Sequence, residues 1–445
     1  MARYKCGVCG YIYDEEKEGK PFEELESCPA CRQPKESFQA ADGEDGAGQK
    51  CGYRYMEVIR QMAATGRPVI EAMGTQMPVP GFDEILVLGA QLNPPPLDAG
   101  EDVNIRTVIG KHAKKPMVLE GPMYVSHMSF GALSREAKTS LARGSALAGT
   151  AMCSGEGGIL PEEKAAAYKY IFEYVPNRYS VTPENLREAD AVEIKIGQGT
   201  KPGMGGHLPG DKVTEEIARV RNKPLGKDVI SPSKFEDIST KEELKELVWQ
   251  LRASSGGRPI GIKIAAGRIE KDLEYCVFAQ PDFITIDGRG GATGASPRII
   301  RDSTSVPAVY ALHRAKKYLE ASGADIDLIM TGGFRVSADA VKAIAMGASA
   351  VAVASAAMVA AGCQQFRDCG SGRCPAGIAT QDEKLRARFD ARAASERVGN
   401  YFKAAFDEIR TFARITGHKD IHDMTVEDLC TISRDIAEYT DIPHA

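Results

Sequence analysis

Positive charge is not in excess along this chain: 56 Lys and Arg stand against 61 Asp and Glu in 445 residues, a net charge of -5. That balance gives no electrostatic reason to expect nucleic acid as a partner. No apolar signal-like region follows Met1-Ala-Arg-Tyr-Lys-Cys6, so export is not expected and a cytoplasmic location is. Long hydrophobic runs are also scarce. Residues 343–365 carry no charge, but they are mostly Ala, Gly and Ser, and Ala350-Val-Ala-Val-Ala354 alternates like a short strand before a helix. No membrane span is expected there. Nor does a Gly-x-Gly-x-x-Gly fingerprint join a predicted strand to a helix, so this chain offers no nicotinamide dinucleotide site of that kind.

What the chain does hold is eleven cysteines, which without an export signal point to metal or redox centres rather than disulfides. Cys51, Cys153, Cys276 and Cys430 are scattered and read as small buried core residues. The first tight group is Cys6-Gly-Val-Cys9 with Cys28-Pro-Ala-Cys31, two knuckles that make a four-thiolate site for zinc or iron. Tyr4, Tyr11, Tyr13 and Phe38 supply an aromatic core, and metal binding would contribute most of the folding energy of so small a unit. Residues 1–38 resemble a rubredoxin, on Cys6-x-x-Cys9-Gly10-Tyr11, the following Tyr13, and Cys28-Pro29-x-Cys31. The resemblance implies one redox-active iron, with zinc as the alternative. Arg32 departs from it, standing where the second knuckle usually has glycine, a position at which a side chain would be strained.

Residues 39–50 are small, polar and glycine-rich and read as a flexible linker. Residues 51–116, with a helix near Tyr55 to Thr65 and then several prolines, read as an arm that packs on the main domain. From 117 to 381 short apolar strands alternate with helical patterns. The strands are expected at Met123–Ser126, Thr150–Cys153, Arg178–Val181, Ala191–Ile196, Ile260–Ala265, Phe283–Asp287, Leu328–Thr331 and Val351–Ala354, with helices such as Lys241–Ala253 and Ala338–Met346 between them. Eight such units favour an α/β fold of the (β/α)8 TIM-barrel type, with functional groups at the C-terminal ends of the strands. Residues 382–445 read as amphipathic helices, Glu383–Arg397 and Tyr401–Thr416 among them, that cap the barrel or form a subunit interface. An oligomer is expected.

The stretch Glu193-Ile-Lys-Ile-Gly-Gln-Gly-Thr-Lys-Pro-Gly-Met-Gly-Gly-His-Leu-Pro-Gly210 is a buried strand breaking into a glycine loop. Its glycines allow close backbone approach to a ligand, and Lys195, Gln198, Lys201 and His207 offer donors to something anionic or carbonyl-bearing. Asp287-Gly-Arg-Gly-Gly-Ala-Thr-Gly-Ala-Ser-Pro297 follows the sixth strand, Thr331-Gly-Gly-Phe-Arg335 the seventh, and Ser355 the eighth. Gly290, Gly291, Thr293, Gly332, Gly333 and Ser355 are candidates for a cofactor phosphate at that rim. Lys263, inside an apolar strand, needs a negative partner: the pyrimidine edge of a reduced flavin, or a core carboxylate. The second cysteine group, Cys363, Cys369 and Cys374-Pro375, suggests an iron-sulfur cluster, since no fourth zinc ligand is apparent nearby.

Together these runs, with Ser126-His-Met-Ser-Phe-Gly-Ala-Leu-Ser134, Ser154-Gly-Glu-Gly-Gly158 and Cys363 to Gln381, resemble the flavin-binding synthase domain of glutamate synthase, in its short, archaeal-type form, over about Asp83 to Gln381. The resemblance implies FMN, contacted by Met128, Ser129, Gln198 and Lys263 as well as by the glycine turns. It implies a 3Fe-4S cluster on Cys363, Cys369 and Cys374, and reductive amination of 2-oxoglutarate with ammonia to L-glutamate through 2-iminoglutarate. Carried across, Lys201 and Arg221 hold the substrate carboxylates, and Glu156 is an acid between flavin, substrate and ammonia that could protonate the imine. His207 stands where the large bacterial enzymes usually have glutamine, which puts its contact with substrate in question. The family's glutamine-hydrolysing domain starts at a processed cysteine that is not found here, so a glutaminase and an electron donor, either partner subunits or a ferredoxin, are expected as separate chains. Competing expectations are an N-methylglutamate synthase-type flavin subunit using methylamine, a different FMN barrel such as type 2 isopentenyl diphosphate isomerase, and an electron-transfer subunit without turnover.

Overall fold

The structure is a computed structural model of the chain and describes residues 3–6, 11–29, 34–40 and 55–445. Two compact units are present, Met1–Arg67 and Pro68–Ala445. In the first, Arg3–Cys6 is the central strand of a three-stranded antiparallel sheet, flanked by Ile12–Asp14 and Phe38–Ala40. Gln39 and Ala40 were expected in the linker, but they pair with Lys5 and Tyr4 and complete the sheet. Cys6 and Cys28 are buried in one small core with Tyr13 and Phe38. Phe22 joins the rings: it stacks on Tyr4 at 3.7 Å and meets Tyr13 and Phe38 edge-on at 5.7 and 5.4 Å. The expected ligands Cys9 and Cys31, the Arg32 position, residues 41–50 of the linker and Cys51 lie outside the described residues. The helix expected near Tyr55 is Met56–Thr65, and it belongs to this first unit, so the arm begins at Pro68.

The second unit is a closed barrel of eight parallel strands. In chain order they are β1 (Met123–Val125), β2 (Ala151–Cys153), β3 (Lys169–Tyr174), β4 (Ala191–Lys195), β5 (Ile260–Ala265), β6 (Phe283–Asp287), β7 (Asp327–Thr331) and β8 (Ala350–Val353). The expected third strand, Arg178–Val181, is a turn. Arg178 and Ser180 take left-handed backbone angles of φ 51° and 55°, and the Val181 N–H donates to the Arg178 carbonyl at 3.2 Å. The true strand is Lys-Tyr-Ile-Phe-Glu-Tyr174, with Glu173 as its fifth residue.

That glutamate follows from the barrel geometry. Side chains alternate along a strand, so Ile194, Ile262, Ile264 and Ile286 point to the outer helices and join the main core. The inward residues are apolar at the N-terminal end, where Ile171, Ala191, Phe283 and Ile329 pack with Ile109, Met117 and Leu119 of a hairpin that plugs this end of the barrel. Toward the C-terminal end the inward residues turn polar: Glu173, Glu193, Lys195, Lys263, Thr285, Asp287 and Thr331, all buried. The stretch screened as a membrane span holds β8 and the short helix Ser355–Ala361, and no described helix is long and apolar enough to cross a membrane.

The C-terminal region was expected to be helical throughout, but Leu429–Thr431 is a strand paired antiparallel with Ile85–Val87, and one of the expected helices is broken. Glu383–Arg397 is interrupted: Asp382 caps a short helix, Glu383–Arg386, and Asp390 caps a 26-residue helix, Ala391–Thr416. The long helix lies along Arg135–Leu147 and meets it through two glycines. A Cβ on Gly144 would stand 2.5 Å from Val398 and 2.9 Å from the Ser395 carbonyl, and one on Gly399 would stand 2.9 Å from Leu147. Replacing an exposed helical glycine by alanine ordinarily gains about 1 kcal/mol. Here overpacking outweighs that gain, and Gly144→Ala is expected to destabilise the fold by about 1–3 kcal/mol, read as a lower urea midpoint with an unchanged slope.

Candidate active site

The loops that leave the C-terminal ends of β1, β2, β4, β6 and β7 meet on one rim. Gly155 presses on the first of them: a Cβ there would lie 2.4 Å from Met128 and 2.5 Å from the Ser129 nitrogen. The buried Lys138 ammonium fixes the same two loops, donating to the carbonyls of Met128 and, at 2.8 Å, Ser154, while it pairs with Glu163 at 3.0 Å. The Gly155 N–H donates to His127 Nδ1 at 3.1 Å. Its Nε2 faces a Glu193 oxygen at 2.8 Å.

Glu156, next in the turn, is hydrogen-bonded by the Lys195 ammonium, and both side chains are nearly buried. Burial works to raise the Glu156 carboxyl, but Lys195, helped by Ser231 and Lys201, outweighs it and holds the group below the ordinary carboxylate range. Glu156 is thus held as a carboxylate, an acceptor of hydrogen bonds, in the ligand-free site. Gly206 lies directly on it: a Cβ there would stand 2.8 Å from the carboxylate oxygens.

Lys201, also buried, donates to the Gly205 carbonyl at 2.9 Å. Burial and the neighbouring Lys195 charge pull it down to about 8, against the opposing pull of Glu156. Arg221 reaches the same turn from the end of helix Glu215–Arg221. Its Nη2 donates to the Phe130 carbonyl at 2.7 Å and its guanidinium lies over Tyr179 at 5.4 Å, while Nε has no hydrogen-bond partner. Seven Lys and Arg side chains are buried among the described residues. Four have a carboxylate within 4.0 Å: Lys138, Lys195, Lys263 and Arg301. The other three, Lys201, Lys212 and Arg221, have none among the described residues, and all come from the segment that follows β4.

His207 is not brought to this group. It is half exposed on a two-residue strand, where Nε2 meets Asp228 Oδ2 at 2.9 Å. Lys263 is placed as expected within β5, and the partner present is the core carboxylate: Asp287 Oδ2 lies 3.9 Å away. Burial alone would depress this lysine, but Asp287, Glu173 and Glu193 more than reverse it. His127, Glu173 and Glu193 bring one ligand atom each within 4.8 Å, the pattern of a metal site. The Lys263 ammonium already supplies the positive charge those carboxylates need.

The residues expected to cradle a cofactor form two stacked glycine turns. A Cβ on Gly290 would meet the Gly332 carbonyl at 2.6 Å, and one on Gly291 would meet Asp287 Oδ1 at 2.3 Å and Gly332 at 2.9 Å. Only glycine permits that approach, and the buried Asp287 Oδ1 it creates has no hydrogen-bond partner. Thr293 bonds Ser296 at 3.1 Å, and Ser355 opens the helix after β8. Gln198 is half-buried, and its neighbours Gly199 and Thr200 join the same turns, Thr200 donating to the Gly291 carbonyl at 3.1 Å. This exposed-backbone rim suits a flavin phosphate.

Cys363, Cys369 and Cys374 are half-buried, and Gly294 of the same glycine turn stands 3.5 Å from Cys369 by its would-be Cβ. Burial first, then the other two sulfurs, push the Cys369 thiol up to about 11. The three sulfurs are thus near enough to interact, yet they are not among the ligand groups that gather within 4.8 Å.

Residues 83–419 match the family model described as the conserved region in glutamate synthase. The chain belongs to the glutamate synthase family. A glutamate synthase large subunit-like protein of Rhizobium meliloti is 36% identical over 408 residues, covering 87% of this chain and 92% of its own length. The archaeal-type glutamate synthase (NADPH) of Thermotoga maritima is 37% identical over 377 residues, 79% of this chain and 74% of that one. The archaeal glutamate synthase (NADPH) of Methanocaldococcus jannaschii is 36% identical over 398 residues, 82% and 78%. Among solved structures, a flavocytochrome b2 variant with benzoylformate has a TM-score of 0.52 at 15% identity, covering 79% of this chain and 77% of that one. A mandelate oxidase variant with a monooxide FMN adduct has a TM-score of 0.50 at 18% identity, covering 79% and 88%. These two establish the barrel fold.

Within this family member, Lys138, His127, Tyr179, Ser231 and the pairing of Lys195 with Glu156 were not singled out from sequence. The inward period of two shared by Glu193 and Lys195 could have revealed the last. The unpaired Lys201 has a cost that can be measured. A lysine that titrates near 10.5 unfolded and near 8 folded opposes folding at every pH below about 8, and the penalty fades as pH rises toward 10.5. Lys201→Met is expected to stabilise the ligand-free protein at pH 7, by about 1–3 kcal/mol, and to flatten its stability between those pH values. Urea denaturation across that range measures both.

Proposed function

We propose that this chain is the synthase component of a glutamate synthase, converting 2-oxoglutarate and ammonia to L-glutamate with FMN. The observation that carries the reading is the union, on one rim, of two buried cations without carboxylate partners, Lys201 and Arg221, with an ionised Glu156. Two cations suit a dicarboxylate, because each forms a charge-assisted hydrogen bond and together they fix the orientation of C2. Ammonium and 2-oxoglutarate condense with loss of water to the cationic 2-iminium acid, and the Glu156 carboxylate stabilises that cation. Lys195 holds the carboxylate in place and keeps it ionised. FMN, held by Met128, Ser129, Gln198 and the turns at Gly290, Gly291, Thr293, Gly332, Gly333 and Ser355, would in its reduced form supply the hydride that C2 accepts to give glutamate. Lys263 would face its pyrimidine edge.

Electrons would arrive through a 3Fe-4S cluster on Cys363, Cys369 and Cys374 and through a rubredoxin-type iron on Cys6, Cys9, Cys28 and Cys31. The burial of Cys6 and Cys28 in one small aromatic core supports a metal there. Relatives named for NADPH are longer than the matched region, and this chain spans 74% of the Thermotoga protein. Glutamine hydrolysis is assigned to a partner glutaminase chain, and the supply of electrons to a donor subunit or a ferredoxin.

One observation favours a second reading on the amine side. A cavity of about 110 Å³ lies against Glu156 and Lys195, walled by Ile196, Met204, Phe235 and Ile238. One water needs only about 10–15 Å³ of such space, so the cavity exceeds what ammonia needs, and its apolar side, which the polar Ser233 and Lys234 complete, suits a small alkyl group. A primary alkylamine such as methylamine is the alternative substrate.

Two experiments test the function. Flavin-loaded protein with a chemical reductant and 2-oxoglutarate is expected to form glutamate from ammonia; mass spectrometry with methylamine in its place reads the second reading as N-methylglutamate. Flavin reoxidation indifferent to both amines would mark an electron carrier instead. Affinity for 2-oxoglutarate, followed by flavin quenching, is expected to weaken as pH rises through about 8, where Lys201 loses its proton. Lys201→Ala is expected to weaken binding at least tenfold, remove that pH dependence and retain FMN. Loss of flavin instead would refute the assignment. Iron rather than zinc is expected in residues 1–38, and metal analysis after Cys6→Ser decides it.

A further inference from the structure

Lys212 ends the 3-10 turn Gly210–Lys212, directly after the loop that carries Lys201. It is 6% exposed, and its ammonium donates to the Cys369 carbonyl at 2.7 Å. Its methylenes lie across Gly372, where a Cβ would stand 2.7 Å from Lys212 Cε, and Gly372 itself takes φ +74°. That glycine is thus required twice, by its left-handed backbone and by the lysine packed on it. Asp211, Cys369, Asp368 and Cys374 are near enough to favour the ammonium, though burial outweighs them, and no described carboxylate lies within 4.0 Å of it. A buried cation needs an anion, and the turn this ammonium holds carries Cys369, with Cys374, Asp211 and Asp368 also close enough to act on it.

We infer that Lys212 is the counter-charge of the cluster held by Cys363, Cys369 and Cys374, and that it sets the potential at which the cluster accepts an electron. The inference rests on the cluster reading above. Three thiolates give such a cluster net negative charge, and reduction adds one more unit. A fixed positive charge held on the turn that carries Cys369 would stabilise the reduced state more than the oxidised one. The carbonyl hydrogen bond positions the charge, and the lysine acts through the cluster rather than on substrate.

The experiment separates charge from hydrogen bonding. Full-length wild type, Lys212→Gln, Lys212→Met and Lys212→Arg are reconstituted anaerobically, and each is titrated redox-potentiometrically with EPR detection of the cluster. Iron, sulfide and FMN contents are measured in parallel. Lys212→Gln keeps a donor for the Cys369 carbonyl but loses the charge, so its potential is expected to move to more negative values, as that of Lys212→Met does. Lys212→Arg is expected to stay near wild type. Neutral variants that cannot hold the cluster while Lys212→Arg does would also support the counter-charge. A Lys212→Gln protein with full cluster and wild-type potential overturns it, as does loss of the cluster in Lys212→Arg as well. A wild-type chain with FMN but no cluster signal overturns the cluster reading together with this inference, and so is told apart from failure of the inference alone.

Discussion

Pairing of buried charge is the constraint on which the rest of this molecule depends. The C-terminal half of the barrel interior is lined by Glu173, Glu193, Lys195, Lys263 and Asp287, a set that would be very costly to bury unless each charge met its opposite. Lys263 answers the carboxylates inside the barrel, Lys195 answers Glu156 at its mouth, and His127 links Glu193 to the turn that bears Glu156. The aim of Glu156 is therefore set by a chain of polar contacts that starts deep inside the barrel. A substitution at His127 or Thr285, neither of which needs to touch substrate, would be felt at the reacting centre through that chain.

The glycines perform the complementary task of bringing backbones together. Gly290 and Gly291 interleave with Gly332 and Gly333, Gly199 lies on Ala292, Gly155 on Met128 and Ser129, and Gly294 beside Cys369. Each contact joins the loops of two different strands, so the loops proposed to hold phosphate, flavin, substrate and cluster are coupled through main chain rather than through long side chains. Rigid main-chain contacts of this kind hold a site with little loss of side-chain entropy, and they preserve its geometry when a ligand leaves.

Much of this was legible in the sequence, for physical reasons that also explain the failures. Strands with an unbroken outward row of Ile and Val, such as β5 and β6, were readable to the residue. β3 was not: its apolar run is only Tyr170 to Phe172 between Lys169 and Glu173, and the next plausible segment proved to be a turn through Arg178 and Ser180. The break at Asp390 was missed since Asp is as compatible with an exposed helix face as with a cap. In the site, the motifs led to Lys201, Arg221 and Glu156, but the protonation of Glu156 could not be read. It depends on Lys195, which stands 39 residues away in sequence. Phe22 and Lys212 were passed over for the same reason: nothing local distinguishes a surface residue from one that tertiary packing buries.

The three buried cations left without a carboxylate, Lys201, Lys212 and Arg221, lie within 21 residues of one another on the segment after β4. Unpaired burial opposes folding, and a protein tolerates it where an absent anion repays it. That the three fall on one segment, while four other buried cations elsewhere are paired, argues that this segment is where the barrel receives negative charge. Lys201 and Arg221 face the turn of Glu156, and Lys212 faces the cysteines. Substrate carboxylates at one end and thiolate iron at the other would thus be neutralised by one stretch of chain. Binding at either end would relieve strain in the same loop. Any resulting coupling is reciprocal, so a dicarboxylate that tightens the loop would alter the electron affinity of the cluster by the same free energy with which cluster reduction alters dicarboxylate affinity.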